Sequence, residues 1–363
     1  MATTYLTLVN NVLNELNEPE LTSSTFSSSR GIQTSVKKFV LKAMHEVYNS
    51  LSEVPDLYLS TTQDTYAGQR TYDLPSSASP QSTDKAYRKI DWDTFRLVPK
   101  ELVTNGEFTS NITGWTTGDG TPSHATSGNG RLNLNDAAAY QSISTVKNKT
   151  YRLQVRVMSP SSSTSTVAIK VGTTASGGEY LSTTQSVTNI GDGATLDTTF
   201  DATAQTSYIY FETASGVQLD IDYVRISENI GIKKLKYITY DDWQNRYLET
   251  DLSNTSSSQG TPDYVYHTQD KKFGLSPVPD KSNYTIQYEY WQVHTDLSAH
   301  GDTMDLDDRF KDVIITKAKY YAYVLRSDPQ AAAMSVKEYD NQLQALRSEY
   351  INTKTYMRDT RVN

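Results

Sequence analysis

The feature that most constrains this sequence is a change of hydrophobic period along the chain. At both ends, apolar residues recur every three or four positions, which predicts amphipathic helices, whereas the middle alternates apolar and polar residues, which predicts strands. Helical spacing covers residues 4–17, 30–53, 307–327 and 329–353. Two helical hairpins, one from each end of a chain, most simply pack as a four-helix bundle. The two ends are therefore expected to fold together.

Local residues set the expected helix boundaries. Pro55 follows the second helical run, and proline cannot continue a helix. Asp307 and Asp308 stand where the third helix should begin, because acidic side chains are favoured at helix N-termini. The fourth helix is expected to have Asp328 as its N-cap and Pro329 at its first position.

Two stretches next to the helices, residues 56–98 and 232–293, indicate a small antiparallel β-domain. Within the first, a hairpin is expected around Ala67-Gly68, and residues 87–98 are expected to form a further strand pair. The second should contain a strand, a short helix and then two or three strands. The last of these alternates tyrosines with polar residues, which predicts one buried face.

Residues 101–228 differ in composition from both flanks. They are rich in Ser, Thr and Gly, and contain twelve acidic residues against seven basic ones. Short alternating segments are separated by turn residues about every ten positions, which is typical of an antiparallel sandwich or jelly roll. We therefore predict an α+β multidomain protein: a host domain of residues 1–100 and 229–363, and an inserted all-β jelly-roll sandwich of residues 101–228.

Composition narrows the possible functions. The formal net charge of −8 argues against general binding to nucleic acid, which needs a basic face. The chain has no cysteine, so disulfides and thiolate metal sites are excluded, and a reducing cytoplasm is the expected place of synthesis. No stretch is apolar enough for a membrane span, and the first residues do not resemble a signal peptide. No membrane association is expected.

Candidate catalytic or metal-binding groups have plainer explanations. The acids of segment 302–308 lack the spacing of a calcium loop, and helix capping explains them better. None of the five histidines has the spacing of a metal motif, and His45, beside Met44 on a helix, is expected to be inert. No phosphate loop, dinucleotide fingerprint or catalytic triad is recognisable. We expect no enzymatic activity and no cofactor, apart from a candidate calcium discussed next.

The phrases "ELVTNGEF…ITGW" and "LDIDYVRIS" resemble the first and last strands of carbohydrate-binding-module-like jelly rolls. The matching residues are Asn105, Gly106, Glu107, Phe108, Gly114, Trp115, Ile221, Asp222 and Val224. By analogy alone, Glu107 and Asp222 are candidate ligands of a structural calcium. Trp115, Tyr140 and Tyr180, with Tyr208 and Tyr210, are candidates for glycan contact, although aromatic residues on sandwich strands more often belong to the core. The resemblance implies the fold but not sugar binding.

The rest of the chain resembles the head-to-tail adaptor proteins (tail tubular or gatekeeper ring proteins) of short-tailed bacteriophages. The likeness lies in the order of a helical pair, "LKYITYDDW", "GTPDYVYHTQDKKFGLSPVPDKSNYTIQYEYW" and "DTMDLDDRFKDVIITKAKYYAYVLRSD". It implies a virion protein, assembled in the host cytoplasm, that forms a ring of usually twelve subunits. Such a ring docks under the portal protein and continues the DNA channel toward the tail nozzle, and DNA passes through without specific binding. The insert departs from the family pattern.

The C-terminal segment carries an excess of basic residues and little apolar pattern, so it is expected to fray in the free subunit. We hypothesise that it orders by docking on the portal through Lys354, Tyr356, Met357, Arg358 and Arg361. A tail without a role is the plain alternative.

Two other functional classes also remain open for the whole protein. One is a carbohydrate-binding protein that acts through the jelly roll, and the other is a tail-fibre or baseplate component. Contact of the insert with tail fibres is a further candidate.

Overall fold

The computed structural model describes most of the chain. The described residues are 3–51, 53–76, 86–126, 128–160 and 164–355, without the side chains of residues 55 and 349–355. By its internal contacts the chain divides into two compact units, a helical unit and a β unit. The helical unit comprises Met1–Thr61, Asp73–Asp91 and Glu289–Asn363, and the β unit comprises Thr62–Tyr72 and Trp92–Tyr288. The predicted boundary of a separate domain at residues 101 and 228 stays a prediction.

The described residues form six α-helices. They are α1 (Tyr5–Glu15), α2 (Ile32–Ser50), α3 (Tyr240–Arg246), α4 (Leu248–Ser253), α5 (Lys311–Leu325) and α6 (Pro329–Thr355). The four long helices lie where the hydrophobic period predicts them, each within a few residues of the expected ends. None of the described helices is both long and apolar enough to span a membrane.

One hydrophobic core joins the two ends of the chain inside the helical unit. Buried side chains of α1, α2, α5 and α6 all belong to it, among them Leu8, Val40, Ile314 and Leu343. The stripe spacing explains this arrangement, because residues three and four positions apart lie on one face of a helix. Burial of these faces is what holds two segments together that are far apart in sequence.

The strands are more numerous and shorter. They are β1 (Tyr58–Asp64), β2 (Thr71–Asp73), β3 (Tyr87–Pro99), β4 (Thr116–Asp119), β5 (Ser123–Ala125), β6 (Arg131–Asn135), β7 (Ala138–Ser144), β8 (Lys149–Met158), β9 (Ser165–Gly172), β10 (Leu181–Val187), β11 (Gly193–Ala202), β12 (Thr206–Thr213), β13 (Gln218–Glu228), β14 (Lys233–Lys234), β15 (Lys236–Tyr237), β16 (Tyr264–His267), β17 (Lys272–Ser276) and β18 (Tyr284–Gln292). They form four sheets, ordered β1-β18-β3-β14, β15-β16-β17-β2, β10-β9-β12-β7-β4 and β11-β8-β13-β6-β5.

Three strand predictions are wrong. β1 and β2 do not form a hairpin, because they belong to different sheets, although the chain does turn at Gly68. The expected strand pair of residues 87–98 is the single strand β3, since no Gly, Pro or Asn interrupts it. The small β-domain is not wholly antiparallel, because β15 pairs in parallel with β16. Helices α3 and α4 lie between these two strands, and a helical crossover is how parallel neighbours are connected.

The tyrosine-rich strand β18 has the predicted buried face. Ile286, Tyr288 and Tyr290 are buried, whereas Gln287 between them is partly exposed. Within the β unit, the ring of Tyr288 stacks on Phe95 with centroids 4.3 Å apart. The stacked rings of Tyr288 and Phe95 therefore form part of the interior of the β unit.

The sandwich consists of the two five-stranded sheets, whose inward residues form a second hydrophobic core. The "NGEF…GW" phrase has a structural role in it. The backbone N–H of Val224 in β13 donates to the Gly106 carbonyl over 2.8 Å, and a Cβ at position 106 would lie 2.1 Å from the Val224 oxygen. Only glycine allows this approach. The Asn105 amide donates to the carbonyls of Asn111 and Thr113, which closes the loop before Trp115.

Candidate functional site

The corner between α5 and α6 exposes apolar side chains on the helical unit. Val324 and Leu325 at the end of α5 are exposed, and Met334 in α6 is 75% exposed. The corner is fixed by backbone hydrogen bonds: the N–H of Asp328 donates to the Tyr323 carbonyl over 3.0 Å and that of Ser327 to Val324 over 3.1 Å. This is a Schellman motif, with Ser327 in the left-handed conformation at φ 57°.

Two polar contacts hold this corner in place. As predicted, Asp328 caps α6, because its carboxylate accepts a hydrogen bond from the Ala331 N–H over 3.0 Å. The guanidinium of Arg326 donates to the Leu16 carbonyl at the end of α1 over 3.0 Å, and also pairs with Glu18. Val324, Leu325 and Met334, which we call the apolar corner, are therefore exposed on the two helices beside a turn that is held in place. Hydrophobic spacing assigns Val324 and Leu325 to the apolar face of their helix, and this prediction is wrong, because both lie exposed at the end of α5.

One of the five predicted docking residues belongs to the described part of α6. Lys354 is in its last turn, since the helix continues to Thr355, so the first part of the segment expected to fray is helical. Tyr356, Met357, Arg358 and Arg361 lie outside the described residues. The docking hypothesis stays a prediction.

The acidic segment before α5 acts as a set of caps and turn acceptors, as predicted. The Asp302 carboxylate accepts backbone hydrogen bonds from Ser298 and Ala299, both over 2.7 Å. Asp307 accepts from the N–H of Arg309 at the first turn. These donors lower the pKa of both aspartates below the ordinary value. In each aspartate, one carboxylate oxygen accepts these hydrogen bonds, which agrees with a role in capping and turn formation.

The candidate calcium ligands both lie beside guanidinium groups. Glu107 pairs with Arg225 over 2.8 Å, and Asp222 lies 3.4 Å from Arg131 and 3.7 Å from Arg156. Neither belongs to a group of three metal-ligating side chains within the described part of the chain. The calcium site stays a prediction without a contact that supports it.

The candidate glycan residues do not lie together. Trp115 is only 9% exposed and packs near Phe108 and Phe211 in the sandwich core, so its prediction as a glycan contact is wrong. Its indole N–H donates to the Asn105 carbonyl over 3.3 Å. Tyr180 packs against the edge of the same core beside Phe200, centroids 6.2 Å apart.

Tyr140, in contrast, belongs to an aromatic face on the outside of sheet β10-β9-β12-β7-β4. It pairs in register with Tyr210, and its ring lies 6.2 Å from Tyr208. Side chains alternate along a strand, so these tyrosines share the face opposite to Ile209 and Phe211. Tyr140 and Tyr208 are partly exposed, whereas Tyr210 is buried. We call Tyr140, Tyr208 and Tyr210, with the Lys170 ammonium 5.3 Å from the Tyr210 ring centroid, the tyrosine face.

Comparison with protein families decides the class of the protein. The model of the SU10 adaptor protein family matches residues 177–362, just over half of the chain. The chain belongs to the SU10 adaptor protein family. It is therefore a structural adaptor protein of a bacteriophage particle, as the resemblance implied. A second family model, described as a carbohydrate binding domain, matches residues 100–218. An adaptor family and a carbohydrate-binding module are both non-catalytic, which agrees with the expectation of no enzymatic activity.

Solved structures resemble the sandwich part of this adaptor. The xylan-binding CBM22-1 domain of Paenibacillus barcinonensis Xyn10C is 15% identical with a TM-score of 0.31, over 37% of this chain and 97% of that one. The N-terminal cellulose-binding domain of Cellulomonas fimi β-1,4-glucanase C is 18% identical with a TM-score of 0.30, over 36% and 99%. The active domain of tailspike protein 4 of bacteriophage CBA120 is 18% identical with a TM-score of 0.28, over 35% and 21%. A search of curated proteins found no match.

Proposed function

We propose that this adaptor forms a ring between the portal and the tail nozzle and continues the DNA channel, with twelve subunits as the expected number. Membership of the SU10 adaptor family carries the proposal. The four long helices, which we take to form a four-helix bundle, would be the rigid walls of each subunit. A net charge of −8 suits a channel through which DNA must slide without binding.

The apolar corner supports the ring part of this proposal. A closed ring needs two different surfaces on each subunit that complement each other head to tail. Three exposed apolar side chains on a fixed helical turn are what the centre of such a contact requires, because apolar residues dominate the buried core of interfaces. Replacing Val324 and Met334 with Ser should leave the subunit folded and prevent ring closure.

Assembly is the first measurement. Native mass spectrometry of the purified chain, alone and then mixed with portal rings, should give a monomer alone and about twelve copies on each portal ring. A stable trimer, or a monomer that ignores the portal, would favour the fibre or baseplate class and contradict the ring.

The C-terminal segment is proposed to dock on the portal through Lys354, Tyr356, Met357, Arg358 and Arg361. Truncation after Tyr350 should abolish portal binding, while circular dichroism still reports a folded subunit. As a matched control, Lys337→Gln and Arg347→Gln remove two positive charges from α6 upstream of the segment and should leave portal binding intact. Unchanged binding by the truncated chain would refute the docking hypothesis.

The sandwich is proposed to be an accessory module, inserted at residues 101–228, that leaves ring assembly to the helical unit. Its two ends lie side by side: the Leu102 N–H donates to the Ile226 carbonyl over 2.8 Å. A short bridge could therefore replace residues 102–227. The deletion variant should still assemble on the portal, and failure to fold would show that the proposed domain boundaries are incorrect.

Glycan binding is the second candidate, and the tyrosine face is the observation that favours it. Sugar rings stack on the faces of accessible aromatic side chains, and Tyr140 and Tyr208 are partly exposed. On the full chain, Tyr140→Ala and Tyr208→Ala should each reduce retention on a glycan array. Tyr223→Ala, a partly exposed tyrosine of the other sheet, is the control. An array without any bound glycan would exclude this candidate, and leaves the adaptor proposal unaffected.

A further inference from the structure

We propose that His45, His294 and Asp296 form a binding site for a divalent transition metal ion of the Zn²⁺ type in the helical unit. His45 lies in α2, and the other two residues follow β18, about 250 positions later in the chain. Among the described residues, these three side chains are a group whose potential ligand atoms all lie within 4.8 Å of one another.

Two of the three distances between the ligand atoms are near those around one shared ion, and the third is within 4.8 Å. The Nε2 of His294 lies 3.4 Å from the Asp296 Oδ1, and the Nε2 of His45 lies 2.7 Å from the same oxygen. In a tetrahedral zinc site with bonds of about 2.0–2.2 Å, neighbouring ligand atoms are about 3.3–3.5 Å apart. The first pair already has that spacing. The second must open by about half an ångström, which is easy because both side chains reach the surface: His45 is 44% and Asp296 68% exposed.

His294 supplies the observation that a simple ion pair leaves unexplained. Its side chain is only 14% exposed, and its buried Nε2, although 3.4 Å from the Asp296 Oδ1, makes no hydrogen bond. A buried nitrogen without a partner costs stability. The imidazole is held in place by the Tyr48 ring, stacked at 4.0 Å, and by the edge of the His45 ring at 4.6 Å. A hydrogen bond between His45 and Asp296 alone would not use this nitrogen, whereas a metal ion would.

Several groups surround the His294 imidazole. Burial, and then the neighbouring His45, lower the pKa of His294 below its ordinary value. The carboxylates of Asp296 and Asp305 oppose this shift, and the positive charge of Arg88 adds to it. Arg88 itself donates to the Tyr48 carbonyl over 2.7 Å, so a backbone oxygen holds it.

The donor set selects the class of ion. Two imidazoles and one carboxylate suit Zn²⁺, Co²⁺ or Ni²⁺, whereas Ca²⁺ and Mg²⁺ prefer oxygen ligands alone. Three protein ligands leave a fourth position for water. Such an ion would connect α2 to the segment that follows β18, two parts of the helical unit that are distant in sequence. It would therefore stabilise this unit against unfolding.

The test uses the full chain, freed of metal with a chelator and titrated with Zn²⁺ by calorimetry. The wild type should bind about one ion per chain and show a higher Tm with Zn²⁺ than without it. His45→Asn and Asp296→Asn should each weaken binding about tenfold or more, since losing even a group that only orients a ligand typically costs that much. Both variants should also lose the Tm shift. His300→Asn changes an exposed histidine of the same unit and should bind like the wild type.

Replacing Zn²⁺ with Co²⁺ allows the coordination geometry of the site to be measured by visible absorption. A tetrahedral site should give intense visible absorption in the wild type, and His294→Asn should abolish it. His294 is largely buried, so the His294→Asn variant could fail to fold. In that case the variants at the exposed residues His45 and Asp296 provide the test. Absence of Zn²⁺ binding in the wild type, or equal binding by the His45 and Asp296 variants, would overturn the proposal. None of these measurements depends on portal binding.

Discussion

The helical unit and the sandwich each have a hydrophobic core, but the chain builds them in opposite ways. The helical core joins α1 and α2 to α5 and α6, which are separated by most of the sequence. The sandwich core comes from one continuous stretch of the chain, and its buried residues run from Val103 to Ile226. A continuous stretch can be inserted into a host without dividing its core. A unit built from both chain ends needs contacts that reach across the whole sequence.

The largest loss of stability is expected from removing a buried aromatic ring from each core, in separate variants. Phe310→Ala in the helical unit and Phe211→Ala in the sandwich each remove a fully buried ring, which should cost about 3–5 kcal/mol. If the two cores are independent, calorimetry should show that each substitution lowers a different unfolding transition. Ile232→Ala, at an exposed position, should change neither. A single transition that both substitutions lower equally would show that the two units unfold as one.

A smaller effect is expected from Gly106→Ala, which is specific to the sandwich. The new Cβ would collide with the Val224 carbonyl, 2.1 Å away, and separate the entry loop from β13. Overpacking of this kind typically costs about 1–3 kcal/mol. Gly231→Ala is the matched control, since nothing lies within 4 Å of its Cβ position. Urea unfolding should show a lower midpoint for the first variant only, and equal midpoints would contradict the role given to the motif.

Sequence reasoning predicted most of what depends on local pattern. The helical stripes, the Asp328 cap and most strands of the sandwich follow from residue spacing and turn residues. The phrase at 102–115, which resembles a first strand, forms loop and turns instead. The predictions were wrong where strands pair with strands that are distant in sequence. Hydrophobic periodicity does not indicate that β1 and β2 belong to different sheets, or that β15 pairs in parallel with β16. Nor can spacing bring His45 to His294, because that contact exists only once the two chain ends have packed together.

Glu101 should show how the two ends of the sandwich are held together. One carboxylate oxygen accepts backbone hydrogen bonds from Leu102 and Val103, each over 3.0 Å, and from Ile226 over 2.8 Å. Glu101→Ala leaves all three donors without this acceptor and should cost about 1–2 kcal/mol. Glu101→Gln keeps a side-chain oxygen and should cost less. The two variants can be ranked by their urea midpoints, and equal loss would mean that the carbonyl oxygen cannot replace the carboxylate.

The smallest change in stability is expected from substituting Glu46. This carboxylate should make the stability of the helical unit depend on pH. Burial alone would raise the pKa of Glu46, but hydrogen bonds from Tyr321 and Lys317 and the charges of Lys317 and Lys42 outweigh it and lower the pKa below its ordinary value. The Lys317 ammonium lies 3.1 Å from the carboxylate and links α5 to α2. A carboxyl group with a lowered pKa in the folded state contributes stability that is present above its unfolded pKa of 4.5.

That contribution should disappear as the pH falls from 4.5 through the lower folded pKa. Because the Glu46 side chain is 38% exposed, the effect should stay below about 1 kcal/mol. Glu46→Gln should therefore lower the urea midpoint of the helical unit at pH 7 and flatten its decline toward pH 3. Glu338→Gln removes a carboxyl group from the exposed face of α6 and should leave the decline as it is. If both variants show the wild-type decline, the contact between Glu46, Lys317 and Tyr321 does not contribute to joining the two ends of the chain.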